Sequence, residues 1–165
     1  MPLRPHNEPT LENARKIALR MLETSARSHH EIATRLERAG IPLEIAEQVL
    51  AEIEERGWVN DTQFAQDWVE DRADRKGYGT RRLTLELQRK GIAQETIQET
   101  LSAQDPDAER QRALALAQKK WASRDENGDT AREKRRLTDY LLRRGFSYGV
   151  IRQVLTELSL EAEEE

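Results

Sequence analysis

RLTLELQRKGIAQETIQETLSAQ, residues 82–104, is one of three related stretches in this 165-residue chain; the others are EIATRLERAGIPLEIAEQVLAEI at 31–53 and RLTDYLLRRGFSYGVIRQVLTEL at 136–158. All three share a glycine that has apolar residues four and eight positions before it and another one position after it. The shared glycines, at positions 40, 91 and 145, lie 51 and 54 residues apart. Recurrence at such a period predicts three tandem structural units.

The first half of the quoted stretch alternates apolar and polar residues as a strand does. The other two stretches have polar Thr34 and Asp139 at the position of Leu85, so the period that all three share is that of a helix ending at the glycine. We therefore predict a helix over 80–90. Leu85 lies off its shared face and is expected to contact a neighbouring unit, with an exposed contact to a partner as the alternative.

The same reasoning predicts nine helices, three in each unit. They span 11–23, 28–39, 43–56, 61–76, 80–90, 94–103, 106–122, 130–144 and 147–160. Several helix starts carry side chains suited to accept a hydrogen bond from a free backbone amide. These are Ser28 with Glu31, Asn60 with Gln63, Thr130 with Glu133, Asp105 before Pro106, and Ser147.

The predicted fold class is all-α, with three tandem three-helix repeats packed into an elongated, curved array. A disordered leader is expected over 1–10, the units over 11–59, 60–104 and 105–160, and an acidic tail over 161–165. Units of about 50 residues are marginal as independent domains, so we expect each to pack on its neighbour.

The composition argues against several classes of protein. There is no cysteine, which removes disulfides, thiolate metal sites and a thiol nucleophile. We find no apolar run of membrane-spanning length and no signal-peptide core, so we expect a cytoplasmic protein without a membrane partner. A net charge of −4 argues against indiscriminate coating of nucleic acid but allows a local basic face.

No arrangement of residues indicates catalysis. The three histidines, His6, His29 and His30, have no second cluster of ligands at metal-binding spacing. Gly-Tyr-Gly at 77–79 lacks the third glycine, the preceding strand and the lysine of a phosphate-binding loop. We therefore predict no enzymatic activity, no cofactor and no metal site.

Positive charge is concentrated in residues 72–90 and 132–152, each with seven basic and two acidic residues. Cations in the last turn of a helix are explained by the helix dipole. That explanation does not cover Arg81 and Arg82 at a helix start, or Arg135 and Arg136 in mid-helix. We interpret the two stretches as a functional basic surface, with a solvated charged face as the alternative. Beside this charge, Tyr78 either stacks on a base or packs on the next unit.

Four segments resemble the RecX family of bacterial regulators of the RecA recombinase. They are ARSHHEIATRL at 26–36, GWVNDTQFAQDWVEDR at 57–72, KGYGTRRLTLELQRKGI at 76–92 and LLRRGFSYGVIRQVL at 141–155. The resemblance covers roughly residues 14–158. Asn60 stands where the family commonly has an aspartate, and Thr80 where it often has a proline.

The resemblance implies tandem three-helix repeats and a protein that lies in the groove of RecA filaments on single-stranded DNA. RecX-like proteins restrain filament growth and with it ATP hydrolysis, strand exchange and cleavage of the SOS repressor. We expect a monomer whose partner is the RecA nucleoprotein filament, with direct contact to single-stranded DNA also open. The candidate filament or DNA contacts are Lys76, Tyr78, Arg81, Arg82, Arg89, Lys90, Arg135, Arg136, Arg143, Arg144 and Arg152.

Two other functions stay open from the residues alone. The chain is alternatively a direct DNA-binding helical protein, because three-helix units with a basic middle helix resemble helix-turn-helix modules. It is otherwise a helical scaffold for an unrelated partner, in which the basic faces only confer solubility.

Overall fold

The computed structural model describes residues 9–161, with side chains described as far as residue 158. This part of the chain forms α-helices and one π-helical turn without any strand, which confirms the all-α prediction. Residues 1–8 of the predicted leader and the tail beyond residue 161 lie outside the described residues. The helices are α1 (Leu11–Thr24), α2 (His29–Arg38), α3 (Leu43–Glu55), α4 (Asp61–Glu70), α5 (Thr80–Arg89), α6 (Gln94–Ser102), α7 (Ala108–Ala122), α8 (Thr130–Arg143) and α9 (Tyr148–Glu161).

Three hydrophobic clusters form the interior, one for each group of three consecutive helices. The apolar residues four and eight positions before each shared glycine are buried in them: Ile32 and Leu36, Leu83 and Leu87, Leu137 and Leu141. Phe146, which follows the third glycine, is fully buried. Each three-helix unit therefore has a core of its own, built from the positions that repeat in the sequence.

Helices α2, α4 and α9 begin at the predicted capping residues. Ser28 and Glu31 form a complete capping box, in which each side chain accepts the other residue's backbone amide. Asn60 and Ser147 each accept a hydrogen bond from the amide three residues further on. These contacts satisfy amides that the first helical turn leaves without a partner.

One predicted cap and one predicted helix start are wrong. Asp129 caps α8, so Thr130 is its first helical residue rather than its cap. The carboxylate of Asp105 accepts the amide of Asp107 in a turn, and α7 begins after that turn instead of at Pro106. In both places an aspartate accepts a hydrogen bond from the backbone amide two residues on; at Asp105 this turn competes with a helix start at Pro106.

The strand-like alternation in the second unit belongs to α5, as the repeat comparison predicts. Leu83 and Leu87 face the core, because residues four apart share a helix face. Leu85 points away from that face and is 53% exposed. It lines a groove together with residues of the third unit, so it lies beside a neighbouring unit without being covered by it; the alternative, a contact with a partner, stays a prediction.

The segment between α4 and α5 differs from the predicted continuous helix to residue 76. A π-helical turn, Asp71–Arg75, follows α4 directly. Gly77 then adopts a φ of +63°, and a Cβ at that position would lie 3.0 Å from Leu116 of α7. This segment thus brings the second unit against the third.

Two hydrogen-bonded joints connect the units, and both use equivalent positions of the repeat. At the first joint, Ser28 Oγ donates to the carbonyl of Lys90 at 2.6 Å; at the second, the amide of Gly79 donates to the carbonyl of Arg144 at 2.9 Å. Ser28 and Gly79 are the N-caps of α2 and α5, while Lys90 and Arg144 are the C-caps of α5 and α8. The C-terminal end of the middle helix of one unit therefore contacts the N-terminal end of the middle helix of the preceding unit. The negative end of one helix dipole thus lies against the positive end of the other.

Each joint has a further polar contact. At the first joint, Lys90 Nζ pairs with the Glu31 carboxylate at 2.6 Å. At the second, the amide of Arg81 donates to the carbonyl of Gly145 at 3.0 Å. The two joints are therefore alike in backbone placement but use different side chains.

The joints require glycine at the end of α5 and α8. Gly91 and Gly145 have φ values of +74° and +91°, in the left-handed region. A Cβ at Gly91 would lie 2.3 Å from the His30 side chain, and one at Gly145 would lie 2.3 Å from Arg82. Gly40 has a similar φ of +76° but no neighbouring atom within 4 Å of its Cβ position.

Gly91→Ala and Gly40→Ala form a matched pair of variants. The difference between their free energies of unfolding measures how tightly the chain packs against Gly91 at the first joint. Both place alanine in a left-handed conformation, which costs about 1–2 kcal/mol. Only Gly91→Ala also forces a methyl group into His30. We expect its free energy of unfolding in urea to fall by at least about 1 kcal/mol more than that of Gly40→Ala. Equal losses would contradict a tight joint at this glycine.

Glu31 links the cap of α2 to the first joint. Burial raises the pKa of its carboxyl, but hydrogen bonds from Lys90 and the Ser28 amide, with the charges of Lys90 and Arg27, outweigh that effect. The pKa therefore lies below its ordinary value of 4.5. At a pH above the ordinary pKa of 4.5, such a carboxylate contributes its full stabilisation to the folded chain. As the pH falls through the lower pKa of the folded state, the carboxylate is protonated and this contribution is lost.

Glu31→Gln should accordingly be less stable than the unsubstituted chain at neutral pH. The difference in melting temperature should shrink once the pH drops below 4.5 and continue to shrink as the carboxylate is protonated. Thermal unfolding followed by circular dichroism across this range checks the prediction. A difference that does not change with pH would show that the charge of Glu31 contributes nothing to the joint.

Candidate interaction surface

Several predicted contact residues hold the second joint together. The Arg82 guanidinium lies 3.7 Å from the centre of the Tyr78 ring and also pairs with Glu86 at 3.2 Å. Arg144, from the third unit, donates to the backbone carbonyl of Lys76 and lies 5.8 Å from the same ring. Cations from two units thus surround Tyr78, which favours packing at the joint over stacking on a base.

Two more predicted cations have partners of their own. Lys90 pairs with Glu31 at the first joint, and its ammonium lies 5.0 Å from the Trp68 ring centre. Arg136 pairs with Glu133 one turn earlier on α8, at 2.8 Å. These contacts account for the placement of both side chains without a ligand.

The other predicted cations are exposed, and none forms an ion pair with another described residue. They are Lys76, Arg81, Arg89, Arg135, Arg143 and Arg152. Each lies on a helix or turn position that points away from the buried clusters. Their charge is therefore available to a partner.

A groove beside the second joint brings several of these residues together; we call it the joint groove. It has a volume of about 580 Å³ and lies between α5 and the turn from α8 to α9. Its lining residues are Arg81, Arg82, Leu85, Glu86, Arg89, Leu142, Arg143, Gly145 and Tyr148. Because its two walls belong to different units, the groove exists only where the second joint is formed.

The lining of the joint groove includes exposed apolar side chains, and its free charge is positive. Leu85 is 53% exposed and Tyr148, across the groove, is 62% exposed. The one carboxylate in the lining, Glu86, accepts from Trp68 Nε1 at 3.1 Å and pairs with Arg82. The negative charge of Glu86 is therefore paired within the second unit. The arginines dominate the electrostatic potential of the groove.

The corresponding positions at the first joint are polar. Thr34 takes the place of Leu85, and Gln94 takes the place of Tyr148. The arginine two positions before the glycine is kept, as Arg89 instead of Arg143. The apolar pair is therefore particular to the second joint and is not needed to build one.

Tyr148 was not among the residues singled out from the sequence. It is the third residue after its shared glycine, a position held by Leu43 in the first unit and Gln94 in the second. A repeat alignment that tracked exposed positions as well as core positions would have found it. The usual signal, apolar periodicity, does not, because an exposed residue at a helix start belongs to no buried face.

The structure brings four of the eleven predicted residues to the joint groove and places others elsewhere. Arg136 lines a separate hollow of about 410 Å³ on the third unit, beside Lys120, Arg124 and the acidic Asp139. Charges of both signs line that hollow, so it lacks the uniform potential of the joint groove. Arg143 borders both.

The described side chains provide no metal site, since no group of three or more His, Asp or Glu residues is placed to hold an ion. Within the same range no helix has both the length and the apolar character needed to cross a bilayer. The joint groove instead groups exposed arginines around two exposed apolar side chains at the junction of two units.

Comparison with known proteins identifies relatives that match most of the chain. Models of the first, second and third three-helix domains of RecX match residues 14–52, 60–101 and 107–155. The chain is 38% identical over 157 residues to the regulatory protein RecX of Mycobacterium ulcerans (strain Agy99), covering 94% of this chain and 91% of that one. It is 39% identical over 158 residues to the regulatory protein RecX of Streptomyces coelicolor, covering 93% and 82%.

Solved structures support the fold. The crystal structure of RecX from Lactobacillus salivarius aligns with a TM-score of 0.83 at 22% identity, covering 91% of this chain and 97% of that chain. A second crystal structure, of a regulatory protein RecX, aligns with a TM-score of 0.76 at 23% identity, covering 88% and 71%. The arrangement of three tandem three-helix units is therefore shared with these proteins.

Arg82→Ala and Arg81→Ala should separate the structural arginines from the exposed ones. Arg82→Ala removes the stacking on Tyr78 and the pair with Glu86, and should lower the free energy of unfolding by about 1–2 kcal/mol. Arg81→Ala should change it by less than about 0.5 kcal/mol, because its side chain has no ion-pair partner. Urea denaturation of both variants gives the comparison, and an equally stable Arg82→Ala protein would contradict the assignment.

Proposed function

Because this chain belongs to the RecX family, we propose that it regulates RecA by binding RecA filaments on single-stranded DNA. Its main effect is inhibition. Filament extension is the primary target, and ATP hydrolysis, strand exchange and co-protease activity toward the SOS repressor decline with it. Regulation of this kind needs a binding surface and no chemistry of its own.

The observation that carries this proposal is the meeting of Arg81, Arg89 and Arg143 at the joint groove. Two basic stretches that are far apart in the chain contribute to one surface, on helices of two units. A positive patch of this kind steers encounter with an acidic partner and fixes the orientation of docking. The net charge of −4 meanwhile keeps the rest of the protein from binding nucleic acid without selection.

The repeat gives the surface a second property that suits a filament. An arginine stands two positions before each shared glycine, as Arg38, Arg89 and Arg143, and all three are exposed. Equivalent charges on successive units present a repeating pattern to a partner. A filament is also a repeating surface, so one protein can contact more than one of its subunits, and contacts that act together strengthen binding.

The proposal predicts inhibition at low stoichiometry. RecA's single-stranded-DNA-dependent ATP hydrolysis is titrated with this protein far below the RecA concentration. We expect inhibition at a few molecules of this protein per hundred molecules of RecA. A low ratio is expected because blocking the growth of a filament takes fewer molecules than covering its DNA. Arg89→Glu/Arg143→Glu should raise the half-inhibitory concentration about tenfold or more.

The matched control is Arg20→Glu/Lys119→Glu, which changes the net charge equally at exposed sites outside the groove and should inhibit as the unsubstituted chain does. Inhibition that begins only when the protein rivals the DNA binding sites in number would point to competition for DNA. No inhibition at any ratio would remove RecA regulation and favour a helical scaffold. Equal loss in both double variants would assign the effect to net charge instead of the groove.

A further inference from the structure

We propose that the joint groove receives an acidic segment of the partner protein, with an apolar side chain of that segment held between Leu85 and Tyr148. This assignment rests on the proposed function and deepens it. In this assignment the joint groove binds the protein of the nucleoprotein filament and not its DNA.

The first argument is the comparison of the two joints within this chain. The first joint forms its hydrogen bonds with Thr34 and Gln94 at the positions of Leu85 and Tyr148. An exposed leucine facing an exposed tyrosine is therefore no requirement of the joint. Apolar side chains grouped inside a charged rim are typical of a protein contact.

The second argument is the position of the charges around Leu85. Arg81 and Arg89 are one helical turn before and after it on α5, and Arg143 lies on the other wall. None of the three has an ion-pair partner among the described residues. Arginine binds carboxylates through two parallel hydrogen bonds, so the complementary segment has carboxylates on both sides of an apolar residue.

The third argument distinguishes protein from nucleic acid. The lining is rich in arginine, contains Tyr148 and has no lysine; protein interfaces are enriched in arginine and tyrosine and depleted of lysine. Grooves that bind single strands rely on aromatic rings under successive bases. Here Tyr148 is exposed, but Tyr78 is covered by Arg82, and Leu85 has no π face to offer a base.

Site-specific photo-crosslinking tests the assignment directly. Leu85 is replaced by p-benzoylphenylalanine, and the protein is irradiated on RecA filaments formed with a radiolabelled oligonucleotide. Thr34, the equivalent position at the first joint, carries the same replacement as the matched control. We expect Leu85 to crosslink to the RecA polypeptide, within a peptide rich in Asp and Glu by mass spectrometry, and Thr34 to give no comparable product.

Each other result overturns the assignment. A crosslinked product that carries the radiolabel would show that the joint groove contacts DNA. A variant that cosediments with filaments but forms no crosslink from Leu85 would show that the groove is not in contact. If the unsubstituted chain fails to cosediment, the proposed function itself fails and this assignment fails with it.

Affinity provides an independent measurement. Leu85→Thr/Tyr148→Gln copies the residues of the first joint, so it should fold with an unchanged melting temperature. It should bind filaments at least about tenfold more weakly in cosedimentation. Leu43→Gln is the control, since Leu43 is 69% exposed at the position equivalent to Tyr148 but lies outside the groove. Equal binding by the double variant and the control would overturn the role of the apolar pair.

Discussion

A hydrogen bond from the start of one middle helix to the last carbonyl of the next is the contact on which the arrangement of units depends. Ser28 supplies the donor at the first joint and the backbone amide of Gly79 supplies it at the second. Each three-helix unit has a separate core, so burial of apolar surface stabilises the units individually. Their relative placement is left to a few polar contacts and to close approach at glycine.

These separate roles of the core residues and the joint residues explain why the repeat is easily recognised in the sequence. Core positions recur because every unit must enclose its own cluster, and the glycine recurs because it ends a helix with a positive φ. At Gly91 and Gly145 the same glycine also leaves room for the preceding unit. One residue type thus serves two constraints, and an insertion between a glycine and its helix would disturb both.

The sequence predicted the helices well because their signals are local. Leucines four apart and a capping box at Ser28 act within a few residues, and both are found where expected. The misplaced cap of α8 and the misplaced start of α7 both involve an aspartate. Asp129 caps α8 in place of Thr130, and Asp105, the predicted cap of α7, accepts the amide of Asp107 in a turn instead; the sequence pattern does not rank such local hydrogen bonds.

The candidate surface was only partly predictable, for a physical reason. Counting charge found Arg81 and Arg82 together, but tertiary packing turned Arg82 onto Tyr78 and left Arg81 in solvent. Neighbours in sequence on a helix point about 100° apart, so equal charge does not imply equal exposure. Tyr148 joined the surface through the turn at Gly145, a contact between units that no single helix reveals.

On the proposed assignment, binding at the joint groove and the arrangement of the units depend on each other. Its walls come from α5 on one side and from Arg143 and Tyr148 on the other, so a ligand that fills it contacts two units at once. Such a ligand binds best when the second joint is closed, and by linkage its binding stabilises the closed joint. The first joint, with Thr34 and Gln94, offers a ligand no comparable apolar contact. Docking at the groove would therefore fix the second and third units relative to each other while leaving the first unit held only by its own polar joint.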